Sequence, residues 1–288
     1  MTVLAGAAAL PALALVLNAF TWGVSWWPLR ELQGAGLHPL WSTALIYAIA
    51  VALITARHPG AWGELLRTPT LWVLVLASGT TNASFNWAVT IGDVVRVVLL
   101  FYVMPLWAVL LARMLLHERL TPAALGRVAL AIGGAAVVLW PADGGGWPLP
   151  RTLAEGLGLL GGFSFALNNV MLKREAARSA SARALAMFLG GVVVSALLAL
   201  AADAPAPPPP AAGWVAGMLA LALAFLGGNL ALQYGAARLP ANATAVIMIT
   251  EVLFASVSAV LLGAGTLTPT LLLGGGLIVL ASLLAVRR

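Results

Sequence analysis

Apolar residues fill this chain in blocks of roughly twenty, separated by short clusters of Pro, Gly and charge, and a helix needs about 20 such residues to cross a bilayer core. The blocks predict spans near 5–28, 39–56, 70–91, 96–116 and 122–140, then near 153–173, 183–202, 212–236, 241–262 and 269–286. They leave only short loops, so no water-soluble domain fits beside them. Two connections differ from the rest. Asp143-Gly144-Gly145-Gly146 is expected to be a flexible joint, and Ala204-Pro205-Ala206-Pro207-Pro208-Pro209-Pro210 a stiff, extended spacer.

The same pattern occurs twice. At a constant offset of 143 residues, Phe20-Thr21-Trp22-Gly23-Val24-Ser25 faces Phe163-Ser164-Phe165-Ala166-Leu167-Asn168, and Leu29-Arg30 faces Leu172-Lys173. Asn86-Trp87-Ala88 with Gly92 likewise faces Asn229-Leu230-Ala231 with Gly235. The offset drifts to 147 where Leu120-Thr121-Pro122 faces Leu267-Thr268-Pro269. An odd number of spans per copy turns the second copy upside down. The expected fold is therefore all-α and membrane-integral, with ten transmembrane helices in two inverted five-helix repeats, residues 1–145 and 146–288. Inverted repeats are a common plan of secondary transporters, whose substrate sites lie near the midplane between the repeats.

Composition supports lipid as the solvent. The chain is 62% hydrophobic and 8% charged, whereas about 25% is usual for soluble domains. A net charge of +6 would normally suggest nucleic acid, but the 15 basic residues are few and scattered. They read better as topology signals. Arg57, Arg67, Arg113, Arg119, Arg127, Lys173, Arg174, Arg178, Arg183, Arg238, Arg287 and Arg288 fall on one side, against Arg30, Arg96 and Arg151 on the other. Both termini are thus expected in the cytoplasm, with the protein in a bacterial inner membrane. Met1 to Leu10 carries no basic stretch, so no cleaved signal is expected.

Polar positions inside the spans mark the candidate site, because polar groups in lipid need partners or water. Asn18, Thr21, Trp22 and Ser25 share one face of the first span, and Ser164, Phe165, Asn168 and Asn169 occupy the corresponding register of the sixth. Ser78, Asn82 and Asn86 stripe the third span, flanked by Thr81 and Phe85, and Phe225, Asn229 and Gln233 in the eighth align with Asn82, Asn86 and Thr90. These stripes read either as interhelical hydrogen bonds or as a shared cavity for neutral or zwitterionic groups. In the fourth span, Phe101 and Tyr102 offer rings near the centre, and Pro105 is expected to kink the helix as a hinge. The kink frees the Phe101 carbonyl for a substrate ammonium or for a neighbouring helix.

Glu251 is an acid in the middle of the ninth span, where a charge costs about 2.5–3.5 kcal/mol on insertion scales. It is expected to bind a substrate amine or to couple transport to protons, the structural alternative being a neutral carboxyl bonded across helices. No cysteines are present, and His38, His58 and His117 sit at separate span ends. This excludes thiolate sites and clustered acid–base or metal chemistry, so neither a metal nor a cofactor is expected, and a membrane-embedded lipid enzyme is disfavoured.

His117-Glu118-Arg119-Leu120-Thr121-Pro122 after the fourth span, with the five-plus-five plan, resembles the drug/metabolite transporter superfamily and its EamA-type members. There a G-E-x-L-T-x element follows the fourth span, and His117 here replaces its Gly. Within that group the chain is most similar to YddG-type exporters of aromatic amino acids. The repeat and the polar stripes point to a secondary transporter working by alternating access, not an enzyme, and the resemblance implies export of an amino acid or similar metabolite. No nucleic-acid partner is expected, and a monomer is the expected unit. Proton-coupled export of lipophilic cations through Glu251 is the alternative.

Overall fold

The computed structural model describes residues 2–115, 117, 121–140, 147–236, 238 and 247–286. Every element among them is a helix: α1 Thr2–Val24, α2 Trp26–Gly34, α3 Pro39–Arg57, α4 Gly60–Arg67, α5 Pro69–Ile91, α6 Val94–Phe101, α7 Met104–Leu115, α8 Pro122–Val138, α9 Leu153–Arg174, α10 Ala180–Ala201, α11 Ala212–Ala236, α12 Thr250–Leu261 and α13 Pro269–Val286. The joint at 143–146, residues 118–120 of the loop element and positions 241–246 of the ninth span lie outside the described residues.

Among the described residues, five stretches are long and apolar enough to cross a membrane, namely Ala9–Gly34, Pro39–Arg57, Val94–Leu115, Ala180–Ala201 and Ala212–Leu232. Pro122–Val138, Thr250–Leu261 and Pro269–Ala281 are shorter apolar helices. Helices α5 and α9, with 23 and 22 residues, match the long ones in length but carry the polar stripes. Leu13, Leu200, Leu261 and Leu273 are each more than half exposed. A surface of such residues suits lipid rather than water.

Local sequence sets the helix boundaries. Proline occupies the first position of α3, α5, α8 and α13, where its missing N–H costs nothing. Thr121, Ser179 and Thr268 side chains cap the following helices by accepting from Ala124, Ala182 and Leu271 N–H at 3.1, 3.1 and 3.2 Å. Thr152 and Glu155 form a reciprocal capping box at α9.

Three features depart from the expected spans. The first span breaks at Ser25, because Pro28 cannot donate to Val24, and it resumes as α2. The fourth breaks at Tyr102-Val103, just upstream of Pro105. The carbonyl this proline frees, that of Phe101, presses on the Gly162 backbone of α9, so it meets a neighbouring helix. Helix α4 was not expected. It is an eight-residue segment between Pro59 and Pro69.

Packing groups much of the chain into two three-helix bodies, each broken span counted as one helix. In the first, the span α1–α2 packs against α11 and α12, with Trp26 Nε1 of α2 donating to Ser258 of α12 at 2.9 Å; in the second, α9 packs against α5 and against the span α6–α7. The two bodies correspond at the offset of 143. A Cβ on Gly235 would lie 2.7 Å from the Pro11 carbonyl oxygen, while one on Gly92 would collide with Ala154, the counterpart of Pro11. A Cβ on Gly228 would lie 3.4 Å from Asn18 Oδ1, and one on Gly161 would lie 3.7 Å from the backbone nitrogen of Phe85, the same pair at the offset of 143. Outside the bodies, α3 packs on α10, and α8 on α13 through Gly134 and Gly274.

Candidate functional site

Each body carries its own cluster of aromatic rings, and a carboxylate of the first is bonded by a tyrosine of the second. From the first body, Trp22 stacks on Phe225 with centroids 4.5 Å apart and planes within 17°. From the second, Phe101 meets Phe85 at 4.9 Å and Phe165 at 5.3 Å, with Tyr102 beside it at 6.0 Å. The Tyr102 hydroxyl crosses the gap and donates to Glu251 Oε2 at 3.0 Å, with the Met248 carbonyl 3.4 Å away. Glu251 is 9% exposed, and among the described residues no Lys or Arg pairs with it.

Asn18 joins this centre. It is fully buried, its amide nitrogen lies 3.5 Å from Met248 Sδ, and its Oδ1 has no partner among the described residues. A buried acceptor without a donor is costly unless something else supplies one. Asn82 is half-buried; it accepts from the Tyr47 hydroxyl at 2.5 Å and donates to the Ser78 carbonyl at 2.8 Å, with Ser78 Oγ at 3.4 Å.

The remaining expected residues divide into two groups. Asn86 is tied to Thr43 of α3 at 3.1 Å and so joins two helices, whereas Ser25 bonds back to the carbonyl of Trp22 at 2.8 Å within its own span. Asn168 is buried with its nitrogen 3.5 Å from Asn169, whose own residue is exposed. Asn229 is half-buried on α11. The side chains of Gln233 and Pro105 lie outside those described.

Sequence reasoning missed Tyr47. Its ring sits between Phe188 at 5.5 Å and Phe225 at 6.2 Å, and lies against Gly191. The repeat contained the signal, since Gly190 stands opposite Tyr47 at the offset of 143. Gly190 lets α10 meet α5 backbone to backbone at Val75 and Gly79, whereas Tyr47 fills the corresponding place between α3 and α11.

A polar network closes the end of the molecule that carries Arg30. Arg30 donates to the carbonyls of Val89 at 3.0 Å and Gly92 at 2.5 Å, at the C-terminus of α5. Asp93 accepts from Arg96 N–H at 2.9 Å and from Thr266 N–H at 3.0 Å. Arg96 pairs with Glu155 at 2.6 Å, and Glu155 also accepts the Arg151 N–H at 2.7 Å. A groove of about 430 Å³ opens there, lined by Gly92, Asp93, Arg96, Thr152 and Glu155. Its lining belongs wholly to the second body and lies apart from the aromatic cluster. At the opposite end, Glu64 of α4 accepts from Ser179 Oγ and N–H at 2.5 and 3.1 Å. These bonds hold its carboxyl below the usual carboxylate range.

Long apolar helices around a buried aromatic and amide centre define a multi-pass membrane protein built to handle a solute. The sequence profile of the EamA-like transporter family matches residues 9–140 and, separately, residues 152–287. The chain belongs to that family and is a membrane-embedded transporter. It is 41% identical over 95 residues to an uncharacterized transporter of Pseudomonas aeruginosa, a match spanning 32% of each chain. A protein of known crystal structure superposes with a TM-score of 0.59 over 96% of both chains at 20% identity, a likeness of fold.

Proposed function

We propose that the chain is a secondary transporter of ten transmembrane spans in two inverted repeats, 1–145 and 146–288, which exports an amino acid or similar amine-bearing metabolite by alternating access. The Tyr102–Glu251 hydrogen bond carries this reading, because it joins the two three-helix bodies at the middle of their interface. The separate family matches to each half and the contacts that recur at the repeat offset support the paired architecture. Arg30, Arg96 and Arg151, the basic residues expected outside, share one network. That end is taken as periplasmic, both termini as cytoplasmic and the bilayer as a bacterial inner membrane.

In this reading an ammonium takes the Glu251 carboxylate and the unpartnered Asn18 Oδ1, while Tyr102 positions the acid. A ring has Trp22, Phe225, Phe101 and Phe165 to pack on, which favours aromatic amino acids. Rocking of one body against the other then exposes the site to each side in turn. A second reading, proton-coupled export of lipophilic cations, is favoured by the same observation: a buried acid among rings with no basic partner among the described residues.

Proteoliposome uptake of a panel of amino acids and cationic dyes, with and without a pH gradient, tests both readings. Saturable flux of aromatic amino acids supports the first. Flux of dyes alone, driven by the gradient, supports the second. No flux of any panel member in either condition counts against both.

A further inference from the structure

The two bodies touch at a second level, at the end carrying Arg30. Arg30 belongs to the first body and rests on Trp26 of its own helix, its guanidinium 5.2 Å from that ring. Its two hydrogen bonds run to the second body, to carbonyls of the last turn of α5 that have no partner within their own helix. Beside it, Val94 N–H donates to the Ala264 carbonyl at 3.2 Å and Thr266 N–H donates to Asp93 at 3.0 Å. These bonds join the start of α6 to the loop after α12, again one body to the other. The Arg96–Glu155 pair differs, because α6 and α9 belong to the same body and also meet through Gly158 and Gly162.

The repeat supplies the same parts at the opposite end. At the offset of 143, Arg30 corresponds to Lys173, and Val89 and Gly92 correspond to Leu232 and Gly235 at the end of α11. A cation on one body and the terminal carbonyls of a helix on the other therefore occur at both ends.

We propose that Arg30 is the latch of the outer gate and that Lys173 is its counterpart at the inner gate, each closing on the last turn of the helix opposite when its end shuts. The chemistry suits a reversible contact. Arg30 and Gly92 are half-buried at a span end, where water can replace their bond, while Val89 is buried and its carbonyl depends on Arg30 more strongly. The asymmetry of Arg against Lys sets a bias, because the planar guanidinium reaches two carbonyls at once while an ammonium is a point charge. The outer end is the more firmly closed of the two.

This inference rests on the alternating-access reading, and its test needs no substrate. The chain has no cysteine, so Ser78→Cys places one thiol in the buried stripe of α5. Labelling by a membrane-impermeant thiol reagent from outside then reports opening of the outer gate. Arg30→Gln should speed outside labelling about tenfold or more, the effect of losing charged hydrogen bonds from a closed state, and Arg30→Lys should speed it less. Lys173→Gln should speed labelling from the inner face of inverted vesicles. Thr266→Pro, which deletes an exposed N–H that Asp93 accepts, repeats the outer test should Arg30→Gln fold poorly. Arg96→Gln serves as the contrast, lowering the melting temperature without speeding outside labelling. Unchanged labelling in folded Arg30→Gln and Thr266→Pro, or equal acceleration by Arg96→Gln, would overturn the latch. Accelerated labelling in a protein that moves no panel solute would keep the gate and remove the amino-acid reading.

Discussion

Inside each three-helix body the helices meet at glycine, while the bodies are joined by hydrogen bonds, from side chains such as Tyr102 and Arg30 and from the Val94 backbone. Gly158 and Gly162 bring α9 onto the backbone of Val97 and Phe101, and Gly23 brings α1 onto the Glu251 carbonyl of α12 at 2.8 Å from a notional Cβ. Contacts of this kind are close-packed and offer no space for rearrangement. At the interface the Tyr102–Glu251 hydrogen bond joins the bodies, with the Trp22–Phe225 stack in one body and the Phe101–Tyr102 pair in the other. Rings can slide and a hydroxyl can change partners, so this surface can part and close again. In the proposed transport cycle the first kind of contact holds each moving unit together and the second is the surface a solute enters.

The largest effect should come from breaking a body. A Cβ at Gly162 would collide with the Phe101 backbone, and overpacking of this kind costs about 3 kcal/mol or more. Gly162→Val is expected to lose most of its folded yield, measured by detergent size exclusion and thermal melting. A well-folded Gly162→Val would dissolve the distinction between body and interface.

Next come the interface residues, where transport and stability should separate. Tyr102→Phe removes the hydroxyl on Glu251 and Glu251→Gln removes the charge, and both should melt near wild type. Glu251→Gln is expected to lose proton-driven accumulation while keeping some downhill exchange, read from flux against pH. Identical pH profiles for wild type and Glu251→Gln would make the carboxyl a structural group. Asn86→Leu and Asn229→Leu are subtler. Asn86 bonds Thr43 between helices, an interaction worth about 0.6 kcal/mol on average in membranes. A small drop in melting temperature with near-normal flux is expected for Asn86→Leu, and a loss of flux for Asn229→Leu, read beside its melting temperature.

The smallest effect concerns Glu64, outside the membrane-spanning helices. Its carboxyl is held low by the Ser179 bonds, so its contribution is present above the ordinary carboxylate range and fades as pH falls through its own lowered value. Glu64→Gln should change the melting temperature little at neutral pH and flatten any acid-side loss. A large loss at pH 7 would mean that α4 bears on the bodies themselves.

Much of this arrangement was legible in the chain. The offset of 143 linked Asn86 to Asn229 and Gly92 to Gly235, and it also pairs the contacts that build the bodies. Pro105 marked the broken span, although the break falls at Tyr102-Val103 because the last turn of α6 closes before the proline. Tyr47 was not legible as a single residue in an apolar span. Its meaning is relational, a ring where the other copy has Gly190. Helix α4 escaped because eight residues between two prolines carry too little periodicity to register. Arg30 read as a topology signal, and only tertiary contact shows its bonds to α5.

The central claim is that the two bodies must part for a solute to cross. Val94 and Ala264 face each other across the outer end through a backbone hydrogen bond of 3.2 Å. Cysteines at both positions, oxidised to a disulfide in proteoliposomes, would tie the bodies together there. Flux of the best-transported panel member is predicted to stop on oxidation and to return on reduction. Undiminished flux through the fully cross-linked protein would contradict the account.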